Sequence, residues 1–442
     1  MLLRTFWFAA LGVFSLANAH GQMNQIPYEE FTLDNGLHVI LHEDHTTPNV
    51  IVSIMYHVGS KNEKPDRTGF AHFFEHLLFE GSENIARGEF DDYISEAGGT
   101  NNANTSNDRT FYYELLPSNQ LELGLWLESE RLLHAKVEDV GIETQRQVVK
   151  EERRQRVDNQ PYGSLLEESM KRAFTKHPYN WSVIGSMDHL EAATEADYKG
   201  FYKDFYCPNN AVLSIAGDLD SKKTKALINK YFGDIPRNDN PIYRPNIVEP
   251  PLGGEVRDTI YDNIQLPAVA QTYRIPAAGT PDFYAVKMLA KLLSDGESSR
   301  LNKVLVDQKE LAVFCGAFPF DLEDPGVTLA FSIANQGVDI LDLETNMNAE
   351  FQKAGEELLS DQEFQKLRNQ VEAEFVTNNS SIAGIAESLA NYHMYYGNAN
   401  LINKEIDRYL AVTKDDIMRV AKKYFHKDNR VTLHFLPKSS QP

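Results

Sequence analysis

The sequence predicts an α+β protein built from two similar half-domains, each a mostly antiparallel sheet covered by helices. Three observations lead there. First, β-branched runs such as residues 49–59 (NVIVSIMYHVG) alternate with amphipathic helical stretches. Second, residues 235–254 are dense in Pro, Asn and Gly and lack periodicity, so they read as a linker between residues 20–234 and 255–442. Third, landmarks recur across that linker. Thr194 and Asp197 open a helix with a capping-box pattern, Phe201, Phe205 and Tyr206 follow, and Asn210 leads into the strand Val212 to Ala216. Thr413, Asp416, Val420, Tyr424, Phe425, Asn429 and the strand Val431 to Phe435 repeat the series, each displaced by the same 219 residues.

The elements follow in order. Residues 28–42 form two strand-like runs around Asp34-Asn35-Gly36, a hairpin signal. Residues 49–59 read as a buried strand, and a polar loop over residues 61–68 leads into a helix at residues 69–81. A second helix over 89–97 is ended by Gly98-Gly99; residues 100–107 are polar and strand-compatible, and 110–116 form a further strand. Long amphipathic helices cover 121–133 and 138–156. In the second half, the strand 268–273 and the helix 283–293 take the places of the strand 50–56 and the helix 69–81.

Composition bounds the function. The hydrophobic fraction of 42% and charged fraction of 24% are those of a globular chain. A formal net charge of −21 with no basic stripe excludes nucleic acid as a partner. Arg4, the apolar run Phe6 to Leu16 and Ala17-Asn18-Ala19 read as a signal peptide over residues 1–19, cleaved after Ala19, which places the chain in the periplasm or outside the cell. No stretch is apolar and long enough for a membrane anchor. Cys207 and Cys315, one per half, are expected as unpaired, buried thiols.

The chemistry centres on residues 69–81. His72, Glu75 and His76 stand at i, i+3 and i+4, on one helical face, while Phe73, Phe74, Leu77 and Leu78 can bury the others. Buried imidazoles need partners, and a divalent metal suits a His pair one turn apart. A catalytic zinc takes a third protein ligand from another element and keeps one position open. Glu151 and Glu152 are the candidates; as helical neighbours, only one of them can face the metal.

These residues resemble the pitrilysin/insulinase metallopeptidases, which include insulin-degrading enzyme and the mitochondrial processing peptidase. His72-x-x-Glu75-His76 is the inverzincin order, and Glu152 follows with 75 residues between. Alignment on Val148-Val149 selects Glu152 over Glu151. Gly98 to Thr105 with Thr110, Tyr112 and Tyr113 resembles the family's G-x-x-x-N-A-x-T…T-x-Y-Y segment, which implies that Asn102 and Ala103 lie on an edge strand where peptide docks. Ser298-Ser299-Arg300-Leu301 resembles a recurring segment of the second half. Gln145 stands where relatives often carry a glutamate that supports a ligand, so a neutral amide replaces a charge.

The resemblance implies one zinc per chain held by His72, His76 and Glu152, Glu75 as general base, and endopeptidase activity on short or unfolded peptides. The family's enclosure comprises four half-domains, so it also implies a homodimer or a heterodimer with a sister subunit. The alternative is a non-catalytic binding or assembly subunit on the same fold; the intact His72, Glu75, His76 and Glu152 argue against it. Tyr392, Tyr395 and Tyr396 fit a core position better than a chamber wall.

Overall fold

The structure, a computed structural model, describes residues 25–441, so the signal peptide expected at 1–19 lies outside the described residues. In the first half, β1 (Glu29–Thr32), β2 (His38–Glu43), β3 (Asn49–Tyr56), β4 (Thr100–Thr105), β5 (Thr110–Pro117) and β6 (Ala211–Gly217) form one sheet in the order β1-β2-β6-β3-β5-β4. In the second, β7 (Val256–Asp262), β8 (Ala268–Arg274), β9 (Ala312–Pro319), β10 (Val327–Ala334) and β11 (Arg430–Pro437) are ordered β7-β11-β8-β10-β9. Each sheet has one parallel pair, β2 with β6 and β7 with β11, and is otherwise antiparallel. The duplication is therefore one of topology: β7 to β11 reproduce β2 to β6, and β1 is the addition.

The helices of the first half are α1 (Phe70–Leu77), α2 (Glu89–Glu96), α3 (Leu121–Leu133), α4 (Asp139–Arg153), α5 (Leu165–Ala173), α6 (Met187–Ala192), α7 (Glu195–Phe205) and α8 (Ser221–Phe232). Those of the second are α9 (Pro281–Ser294), α10 (Ile340–Glu356), α11 (Asp361–Asn378), α12 (Ile382–Tyr396), α13 (Glu405–Leu410) and α14 (Lys414–Tyr424). The repeated landmarks fall on α7–β6 and α14–β11. Both helices start with a closed capping box, Thr194 with Asp197 and Thr413 with Asp416, which satisfies N–H groups the helix itself leaves free.

The halves exchange a helix. Ile385, Leu389 and Ala390 of α12, from the second half, pack on Ile40, Met55, Phe111 and Val212 of the first sheet. Met170 and Ala173 of α5, from the first half, pack on Ala268, Ala270, Leu329 and Leu433 of the second. With Phe70, Phe73 and Phe74 of α1 on its other face, the first sheet is covered twice. This is why β3 and β6 read as continuous apolar runs rather than alternating ones. Cys207 and Cys315 are free and buried, as expected.

A polar knot ties the halves together beside the site. Lys61 is buried and pairs with Asp108 at 2.9 Å, and with Glu323 and Asp324 of the β9–β10 loop. His57 Nε2 lies 2.9 Å from Glu323, and the Asp108 carboxylate accepts the Glu323 backbone N–H. Burial opposes ionisation of Glu323, but the His57 hydrogen bond and the Lys61 charge outweigh it and hold its carboxyl down at about 2, from 4.5. Folding therefore favours the ionised form. The stability this group contributes is complete above pH 4.5 and is lost as pH falls through about 2. Glu323→Gln is expected to unfold at lower temperature than wild type at pH 7, with the gap closing toward pH 2. A gap of constant size across that range in thermal melts would contradict this assignment.

Candidate metal centre

The site is built on α1, a helix of eight residues that cannot hold its shape alone. Both of its ends are anchored by buried polar side chains. Gly69 precedes it in the left-handed region, at φ 93°, and has no side chain to cap with. Glu63 does so from six residues upstream, accepting the N–H groups of Gly69 and Ala71 at 2.8 Å each. Burial pushes the Glu63 carboxyl up to about 8 despite those bonds. Gly69 also meets Gly185 of the 182–186 loop backbone to backbone: a Cβ on Gly185 would stand 2.3 Å from Gly69 Cα. At the other end Arg131 of α3, fully buried, donates to the Leu78 carbonyl at 3.1 Å. Its guanidinium pairs with Glu114 and Glu128 and lies over the rings of Phe79, Phe90 and Tyr112. Tyr112 Oη donates to the Phe74 carbonyl at 2.9 Å.

On this fixed helix His72 is buried and His76 half-buried, with their rings 4.9 Å apart and nearly perpendicular. Glu152, near the end of α4, turns Oε2 toward both: 3.4 Å from His72 Nε2 and 3.0 Å from His76 Nε2. Its hydrogen bonds to the two imidazoles hold its carboxyl well below the usual carboxylate range, with burial opposing. Its other oxygen meets Arg156 at 2.7 Å. Glu151 turns outward, pairing with Arg154 and accepting from Gln155 at 2.9 Å. A helical step of about 100° separates the two neighbours, so only Glu152 reaches the histidines.

Two imidazole nitrogens and one carboxylate oxygen are a zinc donor set, and ligands about 2.0–2.1 Å from a tetrahedral ion stand about 3.3 Å from each other. The separations of 3.0 and 3.4 Å are of that size, so these residues fit the ion.

Glu75 projects from the same face and accepts a 2.6 Å hydrogen bond from Thr105 Oγ1, at the end of β4. That strand is the free edge of the first sheet, paired on one side only, with Asn102 opposite Tyr113 and Ala103 opposite Tyr112. Asn102 is exposed and its Oδ1 accepts the Ala103 N–H, while Ala103 leans on the core. Gln145 lies two turns before Glu152 on α4. Its amide donates to Glu80 at 2.5 Å, and not to His72, His76 or Glu152. Tyr392, Tyr395 and Tyr396 are half-buried, and Tyr392 also packs against the core between α12 and the first sheet. They line a cavity of about 510 Å³ between the halves, together with Ser106 and Arg109 from the β4–β5 turn.

The sequence reading passed over Glu63, Arg131 and Arg156. Arg131 had one available signal: a Glu-x-x-Arg pair, Glu128 and Arg131, in an otherwise leucine-rich helix.

Residues 38–186 match the family described as insulinase (peptidase family M16), and residues 192–371 match the peptidase M16 inactive domain. A zinc protease, PqqE, of Helicobacter pylori is 33% identical over 95% of this chain and 95% of its own. A probable mitochondrial-processing peptidase subunit beta of Arabidopsis thaliana is 25% identical, over 89% of this chain and 76% of its own. Among solved structures, a protease from Helicobacter pylori superposes with a TM-score of 0.89 at 32% identity, covering 93% of this chain and all of that one. The periplasmic protease PqqL of Escherichia coli shares the fold at 18% identity and a TM-score of 0.74; the match covers 92% of this chain and 47% of PqqL.

Proposed function

Because the chain belongs to the insulinase family, peptidase family M16, we propose that it is a zinc-dependent endopeptidase that hydrolyses short or unfolded peptides. The observation that carries this reading is the convergence of His72 Nε2, His76 Nε2 and Glu152 Oε2 beside a glutamate held from the edge strand.

His72, His76 and Glu152 would hold the ion, which supplies Lewis-acid polarisation of the scissile carbonyl and activation of water. Glu75 then takes the proton from the attacking water and passes it to the departing amine. Thr105 fixes one oxygen of Glu75 and so sets its rotamer for both transfers. An extended peptide adds to β4 as a further strand along its free edge, beside Asn102 and Ala103. Backbone pairing of this kind accepts many sequences but requires an unfolded substrate. The second half supplies no equivalent chemistry, since α9 (PDFYAVKMLAKLLS) has neither His nor Glu.

A second chain, either a copy or a sister subunit, would close the chamber. A relative named as a processing-peptidase subunit and the match to under half of PqqL support that arrangement. Residues 1–19 support export to the periplasm or beyond.

The deciding experiment is cleavage of an unstructured fluorogenic peptide by the purified chain, with and without a chelator, and after return of zinc. Loss and recovery of activity are expected. A zinc-loaded chain that binds the peptide and never cleaves it would favour the non-catalytic subunit instead.

A further inference from the structure

We propose that Glu30, His38 and His393 form a second divalent-metal site, one that fastens helix α12 of the second half to the first sheet. Among the described residues, two groups of three bring such ligand atoms within 4.8 Å of one another: the centre described above and this one. The proposal stands apart from the peptidase reading and needs none of its residues.

The register of the hairpin makes half of the site. Thr32 pairs with His38 across β1 and β2, and Glu30, two residues before Thr32, shares its face. Glu30 Oε2 lies 3.2 Å from His38 Nε2. On the far side of the same ring, His38 Nδ1 is 3.0 Å from Thr32 Oγ1. With an ion between Nε2 and Glu30, Nδ1–H would donate to that hydroxyl and leave the Nε2 lone pair for the metal, the arrangement by which an outer hydrogen bond sets a ligand's tautomer.

His393 completes it from α12. Its Nδ1 is 3.9 Å from Glu30 Oε2, beyond hydrogen-bond range, and is buried without a hydrogen-bond partner. The rings are stacked, with centroids 3.4 Å apart and planes within 7°, so their lone pairs run side by side. An ion shared by both requires one ring to rotate, and His393 Nδ1 has no bond that resists rotation. Two imidazoles and a carboxylate suit zinc or a similar transition ion, and the exposed flank of Glu30 leaves room for water as a fourth ligand.

The test is metal content of the full mature chain after zinc loading and dialysis. Two equivalents are expected in wild type, one in His38→Ala and in His393→Gln, and one in His72→Ala. Both hairpin and helix variants should keep peptide cleavage and their circular dichroism, which separates a lost ligand from a lost fold. In wild type, the second equivalent should slow amide exchange over residues 382–396, a readout that needs no variant. One equivalent in wild type with none in His72→Ala, or two retained in His393→Gln, overturns the proposal, as does amide exchange unchanged by the second equivalent.

Discussion

Glu75→Gln is expected to bind zinc as wild type does and to cleave peptide about 10²–10⁴-fold more slowly, the range over which a positioned general acid–base acts. The amide keeps the size and the hydrogen bond to Thr105 Oγ1, with the donor and acceptor roles available to either group. What it lacks is a basic oxygen for the water proton. The loss should fall on kcat, with KM nearly unchanged, because the edge strand that would bind substrate is untouched. Thr105→Val is the companion change: it leaves the carboxylate and removes its tether, so a smaller fall is expected, with Thr105→Ser restoring most of the rate. If Glu75→Gln cleaves at the wild-type rate, Glu75 is not the base.

Glu152→Gln is expected to weaken zinc retention severely and to abolish cleavage with it, whereas Glu151→Gln should leave both close to wild type. The geometry separates these neighbours sharply. Oε2 of Glu152 stands within 3.4 Å of both imidazoles, while Glu151 is tied to Arg154 and Gln155 on the outer face of α4. Metal content after dialysis, measured beside circular dichroism, decides the point. Zinc retained by Glu152→Gln and lost by Glu151→Gln would move the assignment by one residue.

The repeat and the face of His72, Glu75 and His76 were legible because both are written in local patterns, whereas Glu152 was singled out from Glu151 only by the family resemblance. The 219-residue recurrence depends on capping boxes and strand residues that do the same local work twice. The His72, Glu75 and His76 face follows from helical geometry alone. What the sequence did not show was non-local. Glu63 is one glutamate in a polar loop until the fold brings the N–H groups of Gly69 and Ala71 to it. Arg131 looks like a surface cation on an amphipathic helix; only packing reveals that three aromatic rings enclose it. Tyr392, Tyr395 and Tyr396 read as core because nothing in residues 382–396 says which sheet α12 will cover. Gln145 was placed by spacing on the right helix, but its partner is Glu80, a contact set by how α4 crosses the end of α1.

The traded helices α5 and α12 say something about descent. Each half, cut at the linker, would show a bare apolar sheet face where the other half's helix belongs. A chain of one half could have buried that face only against a second copy, by lending its helix and borrowing its twin's. Such a pair is a symmetric, helix-swapped dimer, and joining its two copies end to end gives the present topology. In the joined chain the second half covers the first sheet through α12 without needing a metal face of its own.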